Sequence, residues 1–221
     1  MDVYKKALVA NFRFLKASRD VREAYLRAIP VAGAGVLVPI GESRLDDADL
    51  LATLTRWRND HVHVYPTQFE ATVDSTRAWL KDRLLATDDR ILFLVEDRHG
   101  RAVGHIGFNG CLNDERLFEI DNVVRGDTAS EKGLFSLALQ TLIEWARTTS
   151  NVEGFVLRVM DDNPGPLRST RATASSRSGA FRSSASGTAA CCRTGRRGKA
   201  RRRTGISFAW LTAASTKPAA R

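Results

Sequence analysis

Acidic residues are absent from the C-terminal part of the chain. The last one is Asp162, and the 58 residues after Asn163 contain 13 Lys or Arg but no Asp or Glu. The residues before this tail hold 21 basic and 25 acidic side chains, a net charge of about −4, while the whole chain carries +9. The positive charge therefore belongs to the tail and does not indicate a protein that is basic throughout.

Long apolar runs and cysteines are also scarce. No uncharged apolar stretch approaches the roughly 20 residues that cross a bilayer, and Arg13 and Lys16 interrupt the apolar region that a secretion signal needs. Cys111, Cys191 and Cys192 have spacings that suit neither a disulfide framework nor a zinc site. We therefore expect a soluble, cytoplasmic protein in a reducing compartment, with no membrane partner.

The sequence pattern divides the chain into three parts. Apolar residues recur at helical spacing up to Ile29, just before Pro30, and predict a helical leader over residues 1–33. Residues 34–163 are long enough for one domain with its own core. Residues 164–221 form a basic, low-complexity tail.

Residues 34–163 alternate between strand and helix patterns, which predicts an α/β fold. Apolar runs of strand length and amphipathic stretches follow one another, and a short turn with Gly100 joins two of the strands into a hairpin. The last strand, helix and strand form a unit whose two strands should be parallel. The predicted elements are strand 36–40, helices 47–59 and 73–86, hairpin 91–96 with 102–108, strand 117–124, helix 133–147 and strand 155–160.

This order of elements resembles the GNAT N-acetyltransferase superfamily over residues of about 34–163. The more specific pieces are EIDNVVRG at Glu119–Gly126, LALQTLIEWA at Leu137–Ala146 and LRVMDDN at Leu157–Asn163. The resemblance implies a mixed, mostly antiparallel sheet flanked by helices, in which two strands splay apart. It also implies acetyl-CoA as co-substrate, with its pyrophosphate on backbone amides at the N-terminus of the following helix, where unpaired N–H groups favour an anion.

The resemblance places the cofactor contacts on the loop between the splayed strand and its helix. The family's usual loop is a basic residue followed by closely spaced glycines, whereas an acidic and polar insert separates the two halves of the loop here. A surface loop of this composition would look similar. The expected cofactor-binding residues are Val123, Val124, Arg125, Lys132, Gly133 and Leu134, together with Asn163 after the last strand of the unit.

Two carboxylates are candidates for catalysis. Acetyl transfer to an amine needs a base for the ammonium and a donor for the carbonyl oxygen. Glu119 and Asp121 alternate along one strand, so both side chains point to the same face. The resemblance puts Glu119 where some members keep a base, although strand carboxylates are often solvent-facing or paired. A backbone N–H near Val123 would bind the carbonyl oxygen.

The motif WRND at Trp57–Asp60, with Ser75, Thr76, Trp79 and Leu80 in the next helix, resembles the branch that acetylates small amines, including amino groups on nucleotide-linked sugars. The alternative is that Trp57 and Trp79 are core residues and that Arg58 and Asn59 only end a helix. The expected acceptor is a primary amine of a small molecule, with an amino sugar as one example. A homodimer is left open.

Other reactive side chains indicate little chemistry. His61 and His63 have no third ligand at metal-binding spacing, so we expect no metal. His105 lies in a predicted strand and suggests a structural role, although its face could reach a substrate. Cys111 has no helix N-terminus or basic neighbour to lower the pKa of its thiol.

The tail lacks the features that the resemblance leads us to expect after Asn163, namely a tyrosine, a glycine-phenylalanine turn and two strands. Its Ser, Arg, Ala, Gly and Thr content is typical of disorder, and also of GC-rich DNA translated out of frame. A frame that begins one base earlier permits LYARYGFVEVGRIPL from Arg168–Ser183 and RYFVRMAY from Thr204–Thr212. The hypothesis is a missing base near the codons for Pro164–Pro166, which leaves the C-terminal strands missing or disordered and the enzyme impaired.

Two other functions remain open. A genuine tail would present GRRGKARRR at Gly195–Arg203, which would bind nucleic acid or another polyanion. The second alternative is that the domain is a non-catalytic module that binds CoA or a partner. Salt-dependent nucleic-acid binding favours the first, and CoA binding without acetyl transfer favours the second.

Overall fold

The structure is a computed structural model that describes residues 2–64, 69–126, 131–160, 181–184 and 206–212. Five α-helices lie within these ranges: α1 Val3–Lys16, α2 Val21–Leu26, α3 Ala48–Asp60, α4 Val73–Trp79 and α5 Leu134–Ser150. The strands are β1 Ile29–Val31, β2 Gly35–Pro39, β3 Ile91–Asp97, β4 Ala102–Asn109, β5 Leu117–Arg125, β6 Gly154–Met160, β7 Phe181–Ser184 and β8 Ile206–Thr212.

All eight strands form one sheet in the order β1-β2-β3-β4-β5-β6-β8-β7. The β5–β6 pair is parallel and the other pairs are antiparallel. The predicted mixed, mostly antiparallel sheet is therefore confirmed, as are the β3–β4 hairpin and the parallel strands around α5. The parallel pairing follows from the long helical crossover that joins β5 to β6.

The C-terminal strands differ from the expectation that they are missing or disordered. The backbone of β8 pairs with β6 from Gly154 opposite Thr212 to Met160 opposite Ile206. An uncovered β6 would present a row of unpaired N–H and C=O groups, and β8 satisfies these groups. The side of β6 away from β5 is therefore covered and is not an edge of the sheet. The rest of the tail lies outside the described residues.

One face of the sheet packs against α1 and α5. Leu8, Phe12 and Leu15 recur on one side of α1 and join the same core cluster as Phe118 of β5 and Phe155 of β6. The rings of Phe12 and Phe118 meet edge to face, with centroids 6.2 Å apart. The residues of the predicted helical leader hold α1, α2 and the short strand β1, which is extended because Ile29–Val31 has a backbone partner in β2.

The other face of the sheet carries α3 and α4. The carboxylate of Asp47 caps α3 by accepting a hydrogen bond from the Leu50 N–H, and Thr72 and Ser75 form a capping box at the start of α4. Beyond Trp79 the chain continues as a wider helix over Leu80–Leu85. The buried side chains of α3, including the fully buried Trp57, form one core cluster with Leu80 and Leu84 of this wider helix and with Leu92 and Leu94 of β3.

Candidate active site

A β-bulge lies near the C-terminal end of β5. Gly107 of β4 pairs with Asp121, but His105 pairs with Val124, so Asn122 and Val123 lie opposite a single residue of β4. Asn122 has a φ angle of 52°, which asparagine tolerates better than most side chains. A bulge of this kind re-aims the side chains around it, and here it directs Asp121 and Asn122 into a cavity.

His105 holds the bulge from the neighbouring strand. Its Nδ1 lies 2.7 Å from the carbonyl oxygen of Asn122. Since a carbonyl only accepts hydrogen bonds, the proton is on Nδ1 and Nε2 is the basic nitrogen. Burial lowers the pKa of His105 to about 4, so its ring is neutral near pH 7.

The hydrogen-bonded pairing of β5 with β6 ends just before the bulge. Their pairing runs from Leu117 opposite Gly154 to Ile120 opposite Leu157, although β5 continues to Arg125 and β6 to Met160. The parallel strands are thus hydrogen-bonded at their beginnings and part at their C-terminal ends. This geometry matches the splayed pair that the sequence resemblance implies.

The helix α5 begins beside this opening. Gly133 precedes it with a φ angle of 94°, a left-handed conformation in which a side chain would be strained. The ring of Phe135, in the first turn of α5, packs directly over Gly104 of β4. A Cβ atom built on Gly104 would lie only 2.3 Å from Cζ of Phe135. The N-terminal turn of α5 therefore lies against the bulged region of the sheet.

The predicted cofactor residues divide into exposed and buried groups. The side chains of Val123 and Arg125 on β5, and Lys132 and Gly133 before α5, are exposed. Val124 and Leu134 are buried, so they face the core and offer a ligand only their backbone. The Leu134 N–H already donates to Glu131 O at 3.2 Å. Asn163 lies outside the described residues.

A cavity of about 500 Å³ opens on the α3–α4 face of the sheet next to the bulge. Asp121 lines it. Glu119, two residues earlier on the same face of β5 and opposite Asn109, is not among the lining residues. The structure therefore brings one of the two predicted carboxylates to the cavity. The lining residues are Leu54, Arg58, Phe69, Ala71, Ser75, Thr76, Trp79, Arg90, Leu92, His105, Asp121 and Asn122.

Asp121 has two polar neighbours in the described part of the chain. Its Oδ2 accepts a hydrogen bond of 2.7 Å from the side-chain amide of Asn122 and lies 3.7 Å from Nη2 of Arg90. Arg90 is itself held by Asn109, whose Oδ1 accepts from Nε at 3.0 Å. These contacts fall on Oδ2 of Asp121, which leaves Oδ1 as the oxygen able to accept a proton from a ligand.

Sequence reasoning missed Arg90. It immediately precedes β3, where a charged residue ordinarily marks the solvent-exposed start of a strand. Only the tertiary packing brings it beside Asp121, with its guanidinium 5.9 Å from the centre of the Trp79 ring. No signal in the local sequence distinguishes it from the other arginines.

The WRND motif serves both core and cavity. Trp57 is fully buried and packs so close to Gly126 that a Cβ there would be 2.0 Å from the indole Cε2. Arg58 lines the cavity and lies 4.8 Å from the centre of the Phe69 ring. Asn59 receives a hydrogen bond from the Ala71 N–H and donates one to the Ala71 carbonyl, at 2.8 and 3.0 Å. It thereby fixes the segment that carries the cavity wall before α4.

The other residues considered from the sequence, the histidine at position 61 and the cysteine at position 111, make structural contacts. His61 Nδ1 lies 2.9 Å from the Trp57 carbonyl oxygen. Among the described residues, no three His, Cys, Asp or Glu side chains form a possible metal site. Burial raises the pKa of the Cys111 thiol well above its usual value, which makes it a poor nucleophile. Within the same ranges, no helix has the length and apolar character needed to cross a membrane.

Comparison with known proteins agrees with this geometry. A family model described as the acetyltransferase (GNAT) domain matches residues 40–172. A probable GNAT-family acetyltransferase from Chromobacterium violaceum ATCC 12472 has a TM-score of 0.60 at 17% identity, over 84% of this chain and 85% of its own. No curated protein matches.

Two further solved structures share the fold. Spermidine N-acetyltransferase from Vibrio cholerae, in complex with CoA and spermine, has a TM-score of 0.57 at 13% identity, over 80% of this chain and 94% of its own. An acetyl transferase from Salmonella typhimurium that modifies the N-terminal serine of ribosomal protein L7/L12 has a TM-score of 0.55 at 14% identity, over 85% and 99%. Because the family model covers more than half of the sequence, the chain belongs to the GNAT acetyltransferase family.

Proposed function

We propose that the protein transfers an acetyl group from acetyl-CoA to a primary amine of a small molecule. The observation that carries this proposal is the cavity at the β5 bulge, where a carboxylate lies beside the opening between β5 and β6. The volume of the cavity suits a small acceptor. The family match and the CoA bound to the Vibrio cholerae spermidine N-acetyltransferase support acetyl-CoA as the donor.

The residues named for the cofactor have the chemistry that acetyl-CoA needs. The opening is flanked by the exposed residues Val123 and Arg125, and the exposed Lys132 and Gly133 precede α5. Backbone N–H groups at a helix N-terminus and a lysine both favour a pyrophosphate. Val124, Leu134 and Asn163 complete the proposed set, with Val124 and Leu134 acting only through their backbone.

The proposed chemistry assigns one proton acceptor and one oxyanion donor. Asp121 accepts the proton of the acceptor ammonium through Oδ1, directly or through a water, and Glu119 is the second candidate on the same face. The neutral amine nitrogen then attacks the thioester carbonyl carbon, which forms the C–N bond. The C–S bond breaks, and the proton that the acylated nitrogen loses is taken up by the leaving thiolate. A bulge N–H near Val123 stabilises the carbonyl oxygen during the attack.

The test is release of free thiol from acetyl-CoA in the presence of candidate amines. We expect Asp121→Asn to lower kcat about a hundredfold, since general-base catalysis contributes roughly 10²–10⁴. Glu119→Gln should have a smaller effect, and the exposed Glu115→Gln is the control. An unchanged kcat in Asp121→Asn would remove the base from the proposal. Stabilisation by CoA without turnover of any amine would instead favour a non-catalytic CoA-binding domain.

We also propose that residues after about 164 are translated out of frame and that this impairs the enzyme. The loss of acidic residues after Asp162 and the strand-like translation of the shifted frame support this proposal. Sequencing the coding DNA tests it, and stop codons in the shifted frame before the end of the gene would refute it. Acetyl-CoA should stabilise a frame-restored protein more than this chain.

The remaining proposals concern location and partners. We keep a cytoplasmic location and a homodimer as proposals that fractionation and light scattering test. Nucleic acid becomes a partner only if salt-sensitive RNA binding disappears when the chain is truncated after Asn163. No metal is proposed for the reaction.

A further inference from the structure

We propose that Arg90, held by Asn109, is a positioning residue that orients the carboxylate of Asp121 for proton transfer. This inference rests on the proposed acetyltransferase function, in which Asp121 is the base. The three side chains come from three neighbouring strands: Arg90 immediately precedes β3, Asn109 is the last residue of β4, and Asp121 lies on β5. Arg90 exerts the proposed role through Asp121.

Arg90 and Asn109 are neighbours across β3 and β4. Ile91 pairs with Phe108 at the start of β3, so the position before it lies beside Asn109. The Nε–H of Arg90 donates a hydrogen bond of 3.0 Å to Oδ1 of Asn109. The ring of Trp79, with its centre 5.9 Å from the guanidinium carbon, borders the same group from α4. Because a guanidinium is planar, a bond at Nε also restricts where its two Nη atoms lie.

A glycine leaves space for Arg90 to reach across β4. Gly107 pairs with Leu92 of β3 on one side and with Asp121 of β5 on the other. Paired residues point to the same face of a sheet, and so do residues two positions apart along a strand. With no side chain at Gly107, the guanidinium of Arg90 extends toward β5, where Nη2 lies 3.7 Å from Oδ2 of Asp121.

The carboxylate of Asp121 is held at Oδ2 from two directions. The side-chain amide of Asn122 donates a hydrogen bond of 2.7 Å to this oxygen, and the guanidinium of Arg90 attracts it from the side of β3. A distance of 3.7 Å is too long for a hydrogen bond but lies within the range of an ion pair. The side chains of Arg90 and Asp121 are only 21% and 30% exposed, so water screens their attraction in part. Two contacts on Oδ2 fix the direction of Oδ1, the oxygen to which the proposed function assigns the proton.

Loss of the Arg90 contact should lower the rate of acetyl transfer without weakening binding. A displacement of about 1 Å in an active site costs up to roughly 10²-fold in rate. Because the contact with Asn122 remains, we expect Arg90→Gln to lower kcat about tenfold and to leave KM for the amine and for acetyl-CoA within about twofold of the wild type. The assay is release of free thiol with ethanolamine, glucosamine or spermidine, whichever gives the highest kcat. Arg83→Gln, at an exposed arginine of the wider helix after α4, is the control and should leave both constants unchanged.

A higher KM for the amine with unchanged kcat in Arg90→Gln would overturn the inference, because it would show that Arg90 binds the substrate. An unchanged kcat and KM would overturn it as well. In both cases turnover by the wild type would leave the acetyltransferase function intact.

A double-mutant cycle tests whether Arg90 acts through Asp121. If it does, adding Arg90→Gln to Asp121→Asn should lower kcat by less than about twofold, since the group that Arg90 positions is already lost. A residue with only a general structural role would lower kcat by the same factor in both backgrounds. Multiplying losses, or a wild-type kcat in Asp121→Asn beside a reduced kcat in Arg90→Gln, would refute the inference.

Asn109 and the shape of the guanidinium are tested by two further variants. Asn109→Ala should lower kcat severalfold and should have little further effect when it is combined with Arg90→Gln. Arg90→Lys keeps the positive charge but has one nitrogen for two partners, so its kcat should remain about threefold or more below that of the wild type. A wild-type kcat in Asn109→Ala or in Arg90→Lys would refute the part assigned to Asn109.

Urea unfolding covers the case in which no amine is acetylated. Absence of turnover with all three amines would count against the proposed function, while the contacts of Arg90 remain measurable. Arg90→Gln should lower the urea midpoint of the wild type by more than it lowers that of Asp121→Asn or Asn109→Ala, because residues in contact are not additive. Equal shifts in all three backgrounds, or no shift in any, would refute the inference.

Discussion

The imidazole Nδ1–H of His105 donates a hydrogen bond of 2.7 Å to the carbonyl oxygen of Asn122. This bond joins β4 to the bulge of β5 at the residue with positive φ. The bulge leaves that carbonyl outside the regular ladder of the sheet, so the histidine supplies its partner. A buried side chain thus fixes the backbone next to Asp121.

His105→Leu should lower the free energy of unfolding by roughly 1–3 kcal/mol, the cost of leaving a buried carbonyl without a partner. The substitution should also raise KM for the amine, because Asp121 and Asn122 depend on the bulge. Urea unfolding and steady-state kinetics measure the two effects. The exposed His99→Gln is the control, and equal stability of both variants would contradict the role assigned to His105.

The pKa of His105 predicts a pH dependence of stability. The pKa is about 4 in the folded protein and 6.5 ordinarily, so between these values the unfolded chain binds the proton and the folded protein does not. Stability should be intact above pH 6.5 and fall as the pH decreases toward 4, by at most roughly 3 kcal/mol. The fall between pH 7 and pH 5 should be smaller in His105→Leu than in His99→Gln.

Asn59→Ala should weaken acceptor binding more than it lowers catalytic rate. The variant removes both hydrogen bonds to the Ala71 backbone and loosens the segment that bears Phe69. We expect a severalfold higher KM for the amine, and a loss of stability of roughly 1–3 kcal/mol. Asp60→Ala, at the exposed neighbouring position, should change neither quantity. A pure kcat effect in Asn59→Ala would argue against this role.

Gly126→Ala should be destabilising because its Cβ would lie 2.0 Å from Cε2 of Trp57. Overpacking of this kind costs roughly 1–3 kcal/mol, and displacement of Gly126 should also weaken acetyl-CoA binding next to Arg125. Thermal unfolding with and without acetyl-CoA measures both. In a Trp57→Leu background, Gly126→Ala should lower the stability by a smaller amount. If the effects of the two substitutions on stability were strictly additive, the two residues would not clash.

Lys16 predicts a second pH dependence, at alkaline pH. Its Nζ donates to the carbonyls of Leu84 and Thr87 at 2.8 and 2.6 Å, and burial lowers its pKa from 10.5 to about 8. Between these values the unfolded chain holds the proton and the folded protein releases it, so this residue's contribution to stability should rise with pH. The stability gained in this way should be fully present near pH 10.5, and it should be absent below about pH 8, where Lys16 is protonated in both states.

The comparison of Lys16→Met with Lys6→Met isolates this effect. Lys6 is exposed on the same helix, so Lys6→Met should still gain stability between pH 8 and pH 10.5. Lys16→Met should not gain stability in this range. Both proteins keep Tyr4 and Tyr25, whose raised pKa values have the opposite effect above pH 10. Identical stability profiles from pH 7.5 to 10 would contradict the assignment to Lys16.

Several elements could be predicted closely because local sequence determines them. The helix predicted over 47–59 is observed at Ala48–Asp60, with Asp47 as its cap. The β3–β4 hairpin and α5 agree to within a few residues. Apolar periodicity and capping side chains act over one or two helical turns or one short turn, so they can be read along the chain.

Elements that depend on distant partners could not be predicted. The helical pattern of the leader extends to Ile29, whereas the structure places Ile29 in the strand Ile29–Val31, whose extended form is stabilised by pairing with β2. The bulge at Asn122 arises from the register between β4 and β5 and has no local signal. Arg90 likewise enters the cavity only because β3 and β5 lie in one sheet with α4 above them.

Three features can be read from the sequence alone: the GNAT order of elements, the carboxylates at Glu119 and Asp121, and the separate character of the residues after Asp162. The tertiary structure decided that Asp121 rather than Glu119 faces the cavity and that two arginines accompany it there. The difference arises from the distance along the chain between the residues that interact. Helix caps and apolar spacing act between near neighbours, whereas a cavity and its charge balance are set by side chains from strands and helices far apart in the chain.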